Sequence, residues 1–388
     1  MSMPSTNPAL PAPSREAAAH SERLQRHIAD AIAAAGGWIG FDRYMDLALY
    51  APGLGYYTAG ARKIGNSLAG GDFVTAPEIS TLFGRALAAQ VAQVLTEIAP
   101  GRPARILEFG AGTGRLARDV LEALSARDVA IDRYEIVEVS ADLRDRQQEL
   151  LARWPVAWPD TTPKDFEGVI IANEVLDVLP VRLVVKRGDR VKERGVVAEN
   201  GAFKFAEREA DVELLAAVRD IETGSGPLAD GYVSEIGLTA RAWVAHLASF
   251  LAHGVALLID YGFPRNEYYH PQRRMGTIMC HYRHRAHDDP FWFPGLNDIT
   301  AHVDWSALAQ TAQSNGLEVV GYAAQARFLL NCGLLELLAA DHTLAGSRAV
   351  QRLLSEAEMG ELFKVLAVGR GVSAPLLGFS HGDRLHTL

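Results

Sequence analysis

From Arg105 onward the chain alternates between strand-like and helix-like runs, and this alternation limits the possible folds more than any other feature. "ARILEFG" reads as a strand and "GRLARDVLEALSA" as a helix; "RYEIVEVS" and "ADLRDRQQELLARW" repeat the pair. "FEGVIIANEVLDVL" is then a strand running into a turn. Such an order predicts a parallel sheet covered by helices. The alternation resumes with the helix "LTARAWVAHLASFLAHG" and the strand "VALLIDYGF", and once more in "WSALAQTAQSNGLEVVGYAAQ". Between these parts, "VRLVVKRGDRVKERGVVAENGAFKFAERE" has short strands with turn signals at Arg187–Gly188–Asp189 and Asn200–Gly201. That pattern predicts an antiparallel meander inserted into an α/β fold.

The sharpest local signal is "EFGAGTG", where a strand ends in Glu108 and passes Gly110, Gly112 and Gly114 into a helix. A phosphate loop needs Lys and Ser or Thr after its last glycine, and here Arg115–Leu116 follows. A dinucleotide site needs G-x-G-x-x-G, but the glycines run G-x-G-x-G. S-adenosylmethionine has no phosphate. It needs flat backbone against its amino-acid and ribose portions, and a carboxylate such as Glu108 near its ammonium group. Glu138 ends the next strand, 24 residues after Gly114, where a carboxylate accepts hydrogen bonds from ribose hydroxyls. The simpler alternative is a tight strand–helix turn with Glu138 as a solvated strand end. The whole series in order favours S-adenosylmethionine as cofactor.

Composition removes several classes. A length of 388 residues with 48% hydrophobic content is ample for a sizeable core. A net charge of -9 argues against general nucleic-acid binding, which leaves a basic footprint. No apolar run reaches the roughly 18 residues that a membrane helix needs, so no membrane insertion is expected. Cys280 and Cys332 lie 52 residues apart and match no metal or disulfide spacing; reduced thiols and a cytoplasmic location are expected. The first 14 residues are rich in Pro, Ser and Ala and contain no basic residue, which reads as a disordered tail and not as a signal or transit peptide. "SREAAAHSERLQRHIADAIAAAGGWIGFDRYMDLALY" predicts two helices broken at Gly36–Gly37. A glycine-rich stretch over 51–80 reads as an ordered lid, and "STLFGRALAAQVAQVLTEIA" as an amphipathic helix.

Two further groups of polar residues are candidates for chemistry. "NEVLDVLP" follows the strand "VIIA", at the end where an open parallel sheet has its ligand crevice. Glu174 and Asp177, three apart on one helical turn, would both face that crevice, and Asn173 would bond the donor or the acceptor. The alternative is a helix capped by Asn173 and ended by Pro180. "CHYRHRAHDDP" holds His281, His284 and His287, but interleaved arginines and "DDP" suggest a loop, and no metal is expected. His281, with His302 and Asp304 of "AHVDW", reads as polar lining of an acceptor pocket, or as ordinary surface histidines.

Together "GDFVTAPEISTLFG", "EFGAGTG", "NEVLDVLPV", "IDYGF" and "GLNDITAHVDW" resemble the MidA family. The resemblance runs from about Gly37 to the mid-300s. It implies a class I, Rossmann-like methyltransferase sheet with a helical N-terminal cap, S-adenosylmethionine as cofactor, and arginine on a protein substrate as acceptor. For the family's mitochondrial member that acceptor belongs to a respiratory-complex subunit. It strengthens Glu174 and Asp177 as catalytic residues. It makes Asp72 and Thr75 cofactor-binding and Glu78 substrate-binding parts of a lid; the simpler reading is that Thr75 or Ser80 caps the next helix. The expected organisation is a tail over 1–20, a cap and lid over 21–100, and a methyltransferase domain over 101–388 with insertions at about 182–235 and 264–305. Two other functions fit the same fold: methyl transfer to a small molecule, and a non-catalytic assembly factor. Oligomeric state is not legible.

Overall fold

The computed structural model describes residues 10–60, 75–341, 344–356 and 358–388. The chain divides into two compact units. One is made of segments 1–74, 178–237 and 269–301, and the other of 75–177, 238–268 and 302–388.

The second unit is built on a sheet of eight strands. They are β1 (Ala104–Phe109), β2 (Ile131–Val137), β3 (Val156–Ala157), β4 (Phe166–Asn173), β5 (Leu251–Phe263), β6 (Val303–Asp304), β7 (Glu318–Ala324) and β8 (Phe363–Arg370). Their order is β7-β8-β5-β4-β1-β2-β3, with β6 beside the end of β5. The β5–β4–β1–β2–β3 run is parallel, whereas β8 is antiparallel to both β5 and β7. Alternate residues Ile106, Val169, Ile171, Val255, Leu257 and Ile259 share one core with the helices Thr81–Ile98 and Arg115–Ser125. The intervening Leu107, Ile170 and Leu258 are also fully buried, so both sheet faces are covered, as parallel sheets require.

Registers place the strand ends in a row. Phe109 of β1 pairs with Val137 of β2 and with Ala172 of β4, and Asn173 of β4 pairs with Ile259 of β5. Glu138, Gly110, Asn173 and Ile259 therefore sit side by side at the carboxyl edge of the sheet, with Asp260 one residue beyond.

The first unit has its own core, in which Leu24, Ile28, Phe41, Tyr44, Tyr56 and Val196 are fully buried. The helices Arg15–Ala34 and Phe41–Tyr50 flank the expected break at Gly36–Gly37, and both glycines take positive φ. Ser14 caps the first helix, so the expected tail over 1–20 is corrected: its last six residues are helical. The meander forms as expected from Arg182–Arg187, Arg190–Glu199 and Ala202–Glu209. Ile39–Gly40 and Val233–Ile236 complete its five-stranded sheet. Segments 178–237 and 269–301, near the expected insertions, lie in this unit with the N-terminal helices. Residues 75–100, expected with the cap, belong to the second unit.

The helix expected to reach Gly254 ends at Phe250, and β5 starts at Leu251. Within β5 a Cβ on Gly254 would lie 1.9 Å from the Gly168 carbonyl oxygen, so the two backbones close into sheet where only glycine fits.

Candidate active site

The glycine corner is shaped by its backbone. Gly110, Gly112 and Gly114 have φ of 63°, 55° and 83°, a region that L-residues with side chains avoid. Gly114 is also the left-handed start of the helix Arg115–Ser125. The Gly110 N–H donates to Val137 O at 3.0 Å, which locks the corner to the end of β2. The Gln147 amide donates to Gly112 O at 2.8 Å and to Glu138 Oε2 at 3.0 Å, while Ser140 N–H donates to Glu138 Oε1 at 2.9 Å. Burial is the main cause raising the Glu138 pKa.

Glu108 lies one strand over, fully buried, and accepts a hydrogen bond from Tyr134 Oη at 2.7 Å. Burial raises its pKa to about 8; the Tyr134 bond opposes the rise and the Glu138 charge adds to it.

The acid turn after β4 differs from expectation. No helix forms over 174–180, so Asn173 is not a helix cap and Glu174 and Asp177 do not share a helical turn. Glu174 instead has φ of 54°, and the chain folds back onto β5. Its N–H donates to Ile259 O at 2.9 Å, and the N–H groups of Leu176 and Asp177 donate to Asp260 Oδ2 at 2.9 and 3.1 Å. Glu174 Oε1 accepts from Ala76 N–H at 3.3 Å and from Asn173 Nδ2 at 3.2 Å. Tyr261 Oη donates to Asp177 Oδ2. Asn173 Oδ1 is buried without a hydrogen-bond partner among the described residues, an acceptor left for a bound molecule.

Three carboxylates thus gather at one edge. Burial, then Asp177, then Glu174 push the Asp260 carboxyl well above its usual range. Asp260 was not singled out from the sequence, although an acid ending the apolar run "VALLI" was a usable signal.

The remaining candidates separate. Glu78, expected at the acceptor, accepts from Thr113 Oγ1 and pairs with Arg115 Nη1 at 3.2 Å, so its carboxylate clasps the glycine corner. The Thr75 side chain caps no helix; Ser80 does, accepting from Leu82 N–H at 3.1 Å. The His302 ring lies parallel to Phe263 at 5.2 Å and edge-on to Tyr261 at 5.0 Å, which brings it to the acid turn. Asp304 Oδ1 accepts from Ala307 N–H at 3.0 Å and caps the helix Trp305–Ser314. His281 belongs to the first unit, in a hairpin of Met279–Tyr282 and Arg285–His287 where a loop was expected. Arg283 and His284, both with positive φ, make its turn. Asp72 lies outside the described residues. Among the described residues no three His, Cys, Asp or Glu side chains cluster as for a metal ion, and no helix is long and apolar enough to cross a membrane.

Residues 86–323 match the family described as S-adenosyl-L-methionine-dependent methyltransferase. A crystal structure from Burkholderia thailandensis bound to S-adenosyl-homocysteine superposes with a TM-score of 0.92 at 50% identity, covering 98% of this chain and 100% of that one. A native crystal structure from the same organism gives 0.89 at 48% identity with the same coverage. The Drosophila melanogaster protein arginine methyltransferase NDUFAF7 homolog, mitochondrial, is 28% identical over 87% of this chain and 84% of its own length. The zebrafish (Danio rerio) protein arginine methyltransferase NDUFAF7, mitochondrial, is 27% identical over 90% and 87%. The left-handed glycine corner, the acid at each flanking strand end and the open acceptor on Asn173 fit the methyl donor of that family, and the chain belongs to the S-adenosyl-L-methionine-dependent methyltransferases.

Proposed function

We propose that this protein methylates an arginine side chain of a protein substrate. The observation that carries the reading is the group of carboxylates Glu174, Asp177 and Asp260 beside the glycine corner. A guanidinium is cationic at any physiological pH, and paired carboxylates hold it by charge-assisted, forked hydrogen bonds. The names of the relatives support the same acceptor.

When bound, S-adenosylmethionine supplies an electrophilic methyl group. Glu174 and Asp177 hold the acceptor guanidinium so that one nitrogen points along the line of transfer, and a carboxylate accepts the proton that this nitrogen loses. Asn173 Oδ1, Gly110 and Gly112 would hold the donor's amino-acid part. Glu138 would accept hydrogen bonds from the ribose hydroxyls, and Glu108 would pair with the ammonium group.

Two measurements test the donor half. Glu138→Gln keeps the shape but removes the charge; hydrogen bonds to charged groups contribute about 1.5–3 kcal/mol, so S-adenosyl-homocysteine binding weakens about tenfold or more. Unaltered affinity by calorimetry would place the ribose elsewhere. Glu108 gives a pH signature. With a folded pKa of about 8, it is mostly protonated at pH 7, and an ammonium group favours its ionised form. Binding therefore releases a proton, and affinity rises from pH 6 to 8. In Glu108→Gln that slope disappears; a slope that survives the substitution contradicts the assignment.

The acceptor half is tested by incubating the purified protein with methyl-labelled S-adenosylmethionine and a cell extract. Label in a discrete protein band is expected; label only in small molecules refutes the reading. A respiratory-complex subunit as that band is the finer proposal, supported by the family resemblance, and identification of the band decides it.

A further inference from the structure

Asp260 is completely buried and ionisable, and the reaction as described assigns it no contact with either reactant. Its hydrogen bonds are all to backbone. Oδ2 accepts from two successive N–H groups, Leu176 and Asp177, and Oδ1 accepts from Tyr261 N–H at 2.8 Å. The turn it holds begins at Glu174, a non-glycine residue at φ of 54°. Such a conformation persists only where surrounding contacts over-determine it, and it concentrates at functional sites. Three consecutive residues of β5 anchor the turn: Ile259 O takes the Glu174 N–H, Asp260 takes the Leu176 and Asp177 N–H groups, and Tyr261 Oη binds the Asp177 carboxylate. A buried carboxylate placed between two others is electrostatically costly, as its raised affinity for protons shows. A neutral side chain would avoid that cost, but only a carboxylate offers two acceptor oxygens to three N–H groups.

We propose that Asp260 is a positioning residue for methyl transfer, holding the 174–177 turn so that Glu174 and Asp177 face the point where the methyl group is transferred; this rests on the function proposed above. The consequence is selective. Loss of the Asp260 carboxylate loosens the acid turn but leaves the hydrogen bonds of the glycine corner, Glu108 and Glu138 in place, because none of them involves Asp260.

The test needs no acceptor. Sinefungin is a donor analogue with an amine, cationic at neutral pH, where the transferable methyl sits, whereas S-adenosyl-homocysteine has nothing there. Carboxylates aimed at the transfer point make the wild-type protein prefer sinefungin, by about tenfold or more for one added charge-assisted bond. Calorimetry on Asp260→Asn should leave S-adenosyl-homocysteine affinity within a few-fold of wild type and give near-equal affinity for the two compounds. Tyr261→Phe, which removes one hydroxyl and leaves Asp260 in place, should lower the preference part of the way. Should Asp260→Asn prove unfolded, this second variant decides. A full wild-type preference in folded Asp260→Asn, or in Tyr261→Phe if that is the only folded variant, overturns the proposal. So does a wild-type protein that binds both compounds equally. A wild-type protein that binds neither refutes instead the methyl-donor assignment on which the proposal stands.

Discussion

Glu174→Gln should abolish most methyl transfer while S-adenosyl-homocysteine binds as before. The glutamine keeps an Oε1 acceptor for Ala76 N–H and Asn173 Nδ2, so the contacts that seat the side chain survive. What disappears is the charge proposed to hold a guanidinium and accept its proton. General acid–base groups contribute about 100- to 10,000-fold, and a loss in that range is expected in labelled-methyl assays. The same substitution removes one of the two carboxylates that raise Asp260, so the Asp260 pKa should fall toward the ordinary range. Its sign for stability follows. A carboxyl with a raised folded pKa weakens the fold as pH rises from its unfolded value through the folded one. Glu174→Gln should therefore flatten the loss of stability on going from weakly acidic to neutral pH. A parallel loss of S-adenosyl-homocysteine binding would move Glu174 into the donor site, and full activity would leave it as an anchor of the turn alone.

The second large effect is expected at Gly112. Its φ of 55° costs a residue with a side chain about 1–2 kcal/mol, and a β-branched residue more. Gly112→Val adds a branched group where the corner meets the donor, and it disturbs the carbonyl that holds Gln147 and, through it, Glu138. Donor affinity should fall at least about 100-fold, more than the roughly tenfold that strain alone explains. The protein should remain folded, because Gly112 lies in a turn and not among the core residues. Gly112→Ala should fall between. Undiminished affinity in a folded Gly112→Val would reduce the corner to a simple strand–helix connection.

These effects depend on residues that differ greatly in how well the sequence reveals them. The parallel strands and the corner were legible because glycine spacing and alternating apolar runs are local signals, and Gly110, Gly112 and Gly114 all take positive φ at that corner. The acid turn was legible as a location and wrong in shape. The three-residue spacing of Glu174 and Asp177, ended by Pro180, imitates a capped helix; contacts with β5, about 84 positions along the chain, override it. Asp260 has no local signature for the same reason, since two of its three backbone partners lie far away in sequence. The contacts of Glu78 with Thr113 and Arg115 likewise leave no local sign in the sequence. "FKVLAVGR" carries no comparable signal. As β8 it is almost wholly buried, so it lacks the alternation that marks a half-exposed strand. The division into two units was likewise hidden, because it joins three segments from distant parts of the chain.

The most direct test of arginine methylation is the chemical identity of the product residue. After labelling with methyl-tritiated S-adenosylmethionine, the modified protein is hydrolysed completely and its amino acids are separated. Recovery of the label as methylated arginine, lost in Glu174→Gln, is the result predicted. Label on lysine, on a carboxyl ester or only on a small molecule would contradict it.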